Sequence, residues 1–204
     1  MKANIAFISL GCDKNRVDSE VMLGILRERG YTIVSDETEA DIIVVNTCCF
    51  IKDALEESIE TIIEMAEYKK SGKCKGLIVS GCLAQRFKKE MFREMPEVDA
   101  VIGTTAYESV ADVADRILNG EKSIKVMENI DSQMKEENAS KRVLSTAGHY
   151  AYLKISEGCD NHCTYCVIPK MRGKHRSRTM ESLVEETKML AENGVKELLV
   201  VAQD

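Results

Sequence analysis

Three cysteines stand close together in Cys159-Asp160-Asn161-His162-Cys163-Thr164-Tyr165-Cys166, a C-x3-C-x2-C spacing between a strand-like run and a loop. Soft thiolates at such short separations suit three irons of one cubane cluster, and they leave the fourth iron without a protein ligand. An open coordination position belongs to reactive metal centres, whereas closed four-ligand sites are structural. The alternative is a non-catalytic zinc-bound module, with His162 or His175 as the last ligand. A redox C-x2-C pair is disfavoured by the third thiol.

Cys12, Cys48 and Cys82 each follow an apolar run and precede a helical pattern. In a doubly wound sheet the carboxyl ends of the strands share one edge, and a 2-1-3-4-5 order makes the first, third and fourth strands neighbours. Peptide N–H groups at the following helix starts would face an anionic cluster there. The alternative is that these are buried thiols acting as small hydrophobes. A third reading is a flavodoxin-like flavin or phosphate site, but Gly11-Cys12-Asp13-Lys14-Asn15 lacks the glycine- and hydroxyl-rich run that cradles phosphate.

The elements that position these residues follow from hydrophobic patterning. Five short runs, Ile5 to Leu10, Tyr31 to Val34, Ile42 to Asn46, Leu77 to Ser80 and Ala100 to Ile102, alternate with helical patterns. This predicts an α/β, doubly wound, parallel-sheet (flavodoxin-like) domain over residues 1–120. Val17, Val21 and Ile25 mark a helix capped at Gly30. Leu55, Ile59, Ile62, Ile63 and Ala66, and likewise Val110, Val113, Ala114, Ile117 and Leu118, form stripes expected to face the core. Residues 121–148 read as a polar linker, with Glu128, Asn129, Asp131, Gln133, Lys135, Glu136, Glu137 and Asn138 crowded together. Residues 149–204 read as one β-α-β unit, with strands at Ala151 to Ile155 and Glu197 to Ala202 around a helix at Leu183 to Ala191. A complete (β/α)8 barrel takes about 250 residues, so this unit is too short to close one.

The 204 residues suffice for a sizeable core, and the formal net charge of -6 argues against a surface built wholly for nucleic acid. No apolar run is long enough to span a membrane, and the first apolar stretch is too short for a signal peptide. Eight cysteines without a secretion signal point to metal chemistry in the cytoplasm rather than to disulfides. Cys49 is read as filling space, and Cys74, in the polar stretch Lys69 to Lys75, as a free surface or loop thiol. Lys170, Arg172, Lys174, Arg176 and Arg178 form a basic run, read either as a solvated loop or as an electrostatic patch for acidic groups.

The motifs carry a resemblance. Ser9-Leu10-Gly11-Cys12 with Lys14-Asn15 and Asp18-Ser19-Glu20, Asn46-Thr47-Cys48 with Phe50-Ile51, Ala54 and Glu57-Ser58, Ser80-Gly81-Cys82-Leu83-Ala84-Gln85-Arg86, and the Cys159 loop resemble the radical S-adenosylmethionine methylthiotransferase family. The resemblance implies two [4Fe-4S] clusters, an auxiliary one on Cys12, Cys48 and Cys82 and a radical one on Cys159, Cys163 and Cys166. It also implies S-adenosylmethionine bound at the second, with Tyr165 against the adenine, and an electron donor such as flavodoxin. Reductive cleavage of the sulfonium would yield a deoxyadenosyl radical, and the auxiliary cluster would carry the inserted sulfur. No further catalytic residue is assigned. By the same resemblance residues 149–204 are the truncated start of a radical SAM (β/α) barrel, and the chain is expected to be a fragment without activity of its own.

Ser-Leu-Gly-Cys followed by Asp-Lys-Asn, Thr47-Cys48-Cys49-Phe50-Ile51, Glu157-Gly158-Cys159-Asp160-Asn161 and Val201-Ala202-Gln203-Asp204 resemble the branch that methylthiolates an aspartate of small-subunit ribosomal protein twelve. The other branch acts on a tRNA adenosine. For the ribosomal branch, the basic run from Lys170 to Arg178 would be a patch that holds an acidic substrate loop or ribosomal RNA phosphate. Asp13, where the first branch usually has proline, and Cys49 depart from the family pattern.

Overall fold

The computed structural model describes residues 2–88, 90–135 and 141–204. Glu136, Glu137 and Asn138 of the expected linker lie outside the described residues. The first unit runs β1 (Asn4–Ser9), α1 (Asp13–Glu28), β2 (Thr32–Val34), β3 (Ile42–Thr47), α2 (Lys52–Ser71), β4 (Gly76–Gly81), α3 (Cys82–Phe87), α4 (Glu90–Glu94), β5 (Ala100–Ile102), α5 (Val110–Leu118) and β6 (Ile124–Val126). The strands form one six-stranded sheet in the order β2-β1-β3-β4-β5-β6, every pairing parallel. The chain reverses its direction of strand addition between β1 and β3, so the crevice of the sheet opens at their carboxyl ends.

Period-two alternation of the strands feeds two cores. Ile43 and Val45 of β3 point to the face covered by α2, α3 and α4, with Ile62, Ala66, Leu83 and Met91. Ile42 and Val44 point to the opposite face, with Met22 and Leu26 of α1 and Val110, Val113, Ala114 and Ile117 of α5. Helix α1 stops at Gly30, whose φ of 89° is the left-handed cap expected from the sequence.

Three expectations are corrected. The linker as read from composition contains β6, which pairs with β5 through Ala100–Ile124, Val101–Lys125 and Ile102–Val126 and extends the sheet. Ile63 does not face the core: it is 55 % exposed, while its neighbour Ile62 is 1 % exposed. Adjacent helical residues are about 100° apart, so an apolar pair at the rim of the stripe divides between core and solvent. Cys74 is buried, and its thiol donates to the Gly76 carbonyl at 3.4 Å. Ile62→Ala is expected to cost about 2–4 kcal/mol and Ile63→Ala less than about 0.5 kcal/mol, as read by urea unfolding of both variants.

The second unit consists of β7 (Tyr150–Lys154), β8 (Ser156–Glu157), α6 (Ile168–Arg172), β9 (Arg176–Ser177), α7 (Met180–Glu192) and β10 (Glu197–Val201). β7 and β10 pair in parallel across α7, whose Leu190 joins Ala151 and Val195 in a small core. Thr179 starts α7 by accepting a hydrogen bond from the Ser182 amide. β8 and β9 pair antiparallel and close the base of the loop that carries the three later cysteines.

Candidate metal centres

Cys12 is the N-cap of α1, Cys48 follows β3 directly, and Cys82 is the first residue of α3. All three therefore stand at the carboxyl edge of adjacent strands, as the strand order requires. Their loops touch. A Cβ added at Gly11 would lie 2.6 Å from the Cys48 Cβ and 3.1 Å from its Sγ, so only glycine lets the β1 loop seat against this cysteine. Asn15 ties the loops together: its Nδ2 donates to the carbonyls of Leu10 at 3.1 Å and Thr47 at 2.8 Å, and its Oδ1 faces the Cys82 Sγ at 3.8 Å. Ser58 fixes the third loop by accepting from the Cys48 amide at 3.0 Å and donating to the Cys48 carbonyl at 2.7 Å.

Cys12 is exposed, whereas Cys48 and Cys82 are buried. Burial pushes the Cys82 thiol up to about 12, against the opposing pull of the Arg172 cation. Coordination to a metal is what would deprotonate such a group at neutral pH. Cys49 is buried with its thiol 3.3 Å from the Met171 sulfur, consistent with the space-filling role expected for it.

The later cysteines lie on one loop. Gly158, at φ 76°, begins it where a Cβ would lie 2.1 Å from the Lys174 carbonyl oxygen. The Cys159 amide donates to Gly173 at 3.1 Å, and the Cys166 amide to Cys163 at 3.0 Å. Asn161 Nδ2 reaches the Cys159 Sγ at 3.4 Å and Asp204 Oδ2 at 3.1 Å, while Gln203 Oε1 accepts from the Gly158 amide at 2.8 Å. The residues that follow β10 therefore brace the loop. Cys163 is exposed, and Cys159 and Cys166 are half-buried. Tyr165 is 88 % exposed beside them, and His162 and His175 are both exposed. Among the described residues, no three of His, Cys, Asp and Glu stand close enough to hold a single metal ion.

The basic run is not one surface patch. Lys170 and Lys174 are exposed, but Arg172 and Arg178 are buried in ion pairs. Arg172 Nη1 lies 2.7 Å from Asp18 and 2.9 Å from Glu157, and Lys154 Nζ lies 2.5 Å and 2.8 Å from the same two carboxylates. Burial alone would push the Glu157 carboxyl up, but the Arg172 and Lys154 cations outweigh it and hold the group at about 2. A second buried set joins Glu20 to Arg142 at 3.7 Å and Arg142 to Glu186 at 3.2 Å, and Glu186 also pairs with Arg178. Asp18 and Glu20 belong to α1, so one helix of the first unit anchors the second by charge. Sequence reading noted Asp18-Ser19-Glu20 without assigning them this task. The signal was there, since acids on a helix that is buried on two sides require buried cations.

Residues 4–103 match the family described as uncharacterized protein family UPF0004, and residues 153–204 match the radical SAM superfamily. Over 200 residues the chain is 61 % identical to the ribosomal protein uS12 methylthiotransferase RimO of Lachnoclostridium phytofermentans, covering 98 % of this chain and 45 % of that protein. The chain is thus similar, over nearly its whole length, to part of a methylthiotransferase, and its later segment matches the radical SAM superfamily. A second methylthiotransferase, RimO of Clostridioides difficile, is 52 % identical over 201 residues, covering 98 % of this chain and 44 % of that protein. The chain thus spans less than half the length of these methylthiotransferases. Among solved structures it is similar to the radical S-adenosylmethionine methyltransferase TsrM from Kitasatospora setae, with cobalamin and a [4Fe-4S] cluster bound. The TM-score is 0.66 at 12 % identity, over 100 % of this chain and 48 % of that one. The cobalamin-dependent S-adenosylmethionine radical enzyme OxsB gives 0.60 at 14 % identity, over 94 % and 32 %. At such identities the likeness concerns the fold alone. Within this chain, Cys12, Cys48 and Cys82 fall in the segment matched to the first family, and Cys159, Cys163 and Cys166 in the segment matched to the second.

Proposed function

We propose that this chain carries the two cluster-binding units of an enzyme that methylthiolates an aspartate side chain of small-subunit ribosomal protein uS12. The observation that carries the reading is the 61 % identity, across nearly the whole chain, with a protein named for uS12 methylthiolation. In this reading residues 1–120, extended by β6, form the auxiliary-cluster unit, and residues 149–204 begin the radical SAM unit. The residues fit such groups. A cubane spreads its thiolates around several metal corners, so three cysteines on three neighbouring strand ends suit it, whereas one zinc ion needs a tight knot of ligands.

Bound at Cys159, Cys163 and Cys166, a [4Fe-4S] cluster with S-adenosylmethionine supplies the one-electron chemistry that opens an inert C–H bond. The protein's part is to place and shield. Gly158 lets the loop close on the Lys174 backbone, Asn161 holds the Cys159 sulfur, and Tyr165 leaves an aromatic face open for an adenine ring. Cys12, Cys48 and Cys82 would hold the auxiliary cluster, oriented by Asn15. Exposed Lys170 and Lys174 remain available for an acidic substrate loop or for ribosomal RNA. The electron donor would be a flavodoxin-like protein, and the ribosomal substrate places the enzyme in the cytoplasm; no helix of the described residues is long and apolar enough to cross a membrane.

Anaerobic reconstitution should give about eight irons per chain, and about four after replacing either cysteine triplet by Ala. A colourless protein with one zinc would overturn the cluster assignment. For the substrate, mass spectrometry of cells lacking the gene should show uS12 without its methylthio group; loss from a tRNA adenosine instead would reassign the enzyme.

A further inference from the structure

The part of the second unit that reaches furthest into the first is the end of α6. Three loops at the sheet edge receive it. Thr104, after β5, donates to the Met171 carbonyl at 2.7 Å. Cys49, after β3, packs its sulfur on Met171. Asn15, after β1, accepts from Arg172 Nη2 through Oδ1, the same oxygen that faces the Cys82 thiol at 3.8 Å. The Arg172 side chain is 2 % exposed. Its Nη1 is engaged by Asp18 and Glu157 and its Nη2 by Asn15, so the guanidinium cannot swing away.

Lys154 and Arg172 meet Asp18 and Glu157, two cations on two carboxylates. Arg172 also turns a second nitrogen, Nη2, away from those carboxylates toward Asn15 and the thiol cradle. An anionic group held there would lie one side chain away from a fixed, desolvated cation. An iron–sulfur cluster bearing three thiolates is anionic. The Arg172 guanidinium and the Cys82 thiol meet the same Asn15 oxygen from two sides, so Asn15 is the spacer between them.

We propose that Arg172, contributed by the second unit, is a positioning residue for the group held by Cys12, Cys48 and Cys82 in the first, compensating its negative charge through the Asn15-anchored guanidinium. This rests on the reading that those thiols bind a cluster. Docking of the second unit and retention of the auxiliary cluster are then one event, because the counter-charge arrives only with α6. A cation fixed beside the cluster also favours its reduced, more negative form.

The test uses the chain with Cys159, Cys163 and Cys166 replaced by Ala, so that all bound iron reports the other triplet. Arg172→Gln, Arg172→Lys, Glu157→Gln and the Arg172→Gln/Glu157→Gln pair are reconstituted anaerobically. The paired variant removes one charge of each sign and keeps the buried set foldable where the single change is not. Relative to Glu157→Gln alone, the pair should lose iron to a chelator about tenfold faster, the scale typical of a lost partner around a metal site. Its midpoint potential should be more negative, and Arg172→Lys should restore most of that shift. Unchanged potential and iron release in the folded pair would overturn the proposal, leaving Arg172 a structural ion-pair partner. A parent without iron would instead overturn the thiol assignment beneath it.

Discussion

Replacing Lys154 by Met is expected to lower the unfolding free energy by about 3–5 kcal/mol, because it leaves Asp18 and Glu157 buried with only Arg172 between them. Lys154 is 4 % exposed and meets both carboxylates within 2.8 Å, so water cannot take its place. Urea unfolding of the apo chain measures the loss. Adding Glu157→Gln should recover a substantial part of it, since the remaining Asp18–Arg172 pair is then balanced; no recovery would mean that Lys154 acts through packing on Tyr107, whose ring centroid is 5.4 Å from its Nζ. The same network sets an acid limit. Glu157 is held at about 2 in the folded chain against an ordinary 4.5, so its contribution is complete above pH 4.5 and is lost as pH falls through 2. Glu157→Gln should flatten the stability profile across that window.

Gly158→Ala is the second change of large expected effect, at about 3 kcal/mol or more, because two costs add. The residue has φ 76°, and the new methyl would meet backbone rather than a movable side chain: the Lys174 oxygen at 2.1 Å and the Gly173 oxygen at 2.4 Å. Relief requires opening the β8–β9 closure, which would release the Cys159 amide from Gly173. The reconstituted variant should therefore lose the irons of the later triplet and keep those of the earlier one. Gly120→Ala is the control: at φ 87° with open space around it, it tests backbone strain without the clash.

The parallel sheet was legible because its strands are Ile- and Val-rich runs punctuated by turns, and buried strands need little else. Strand β6 was hidden: Ile-Lys-Val is three residues long, carries an exposed Lys125 and sits in a polar tract, and only the open edge of β5 makes it a strand. Cys74 misled for a related reason, since its polar neighbours face water while its own thiol turns toward the start of β4. The candidate cysteines could be picked out because short spacing and strand ends are local signals. Arg172 could not, for its partner Asp18 is 154 positions away. Lysines and arginines alternating through one loop read as a single patch, and only the packing of α6 sorts the inward members from the outward ones.

The seam between the two units is rich in buried charge, with Asp18, Glu20, Arg142, Lys154 and Arg172, and its apolar share comes from α6, where Met171 enters the first unit's core with Val167 and Ile168 packed beside it. Were the halves prised apart, each would present hydrophilic side chains that water readily welcomes. Mixing the parted halves should let them find each other again in a salt-sensitive manner, since the ion pairs must re-form as Met171 returns to its seat.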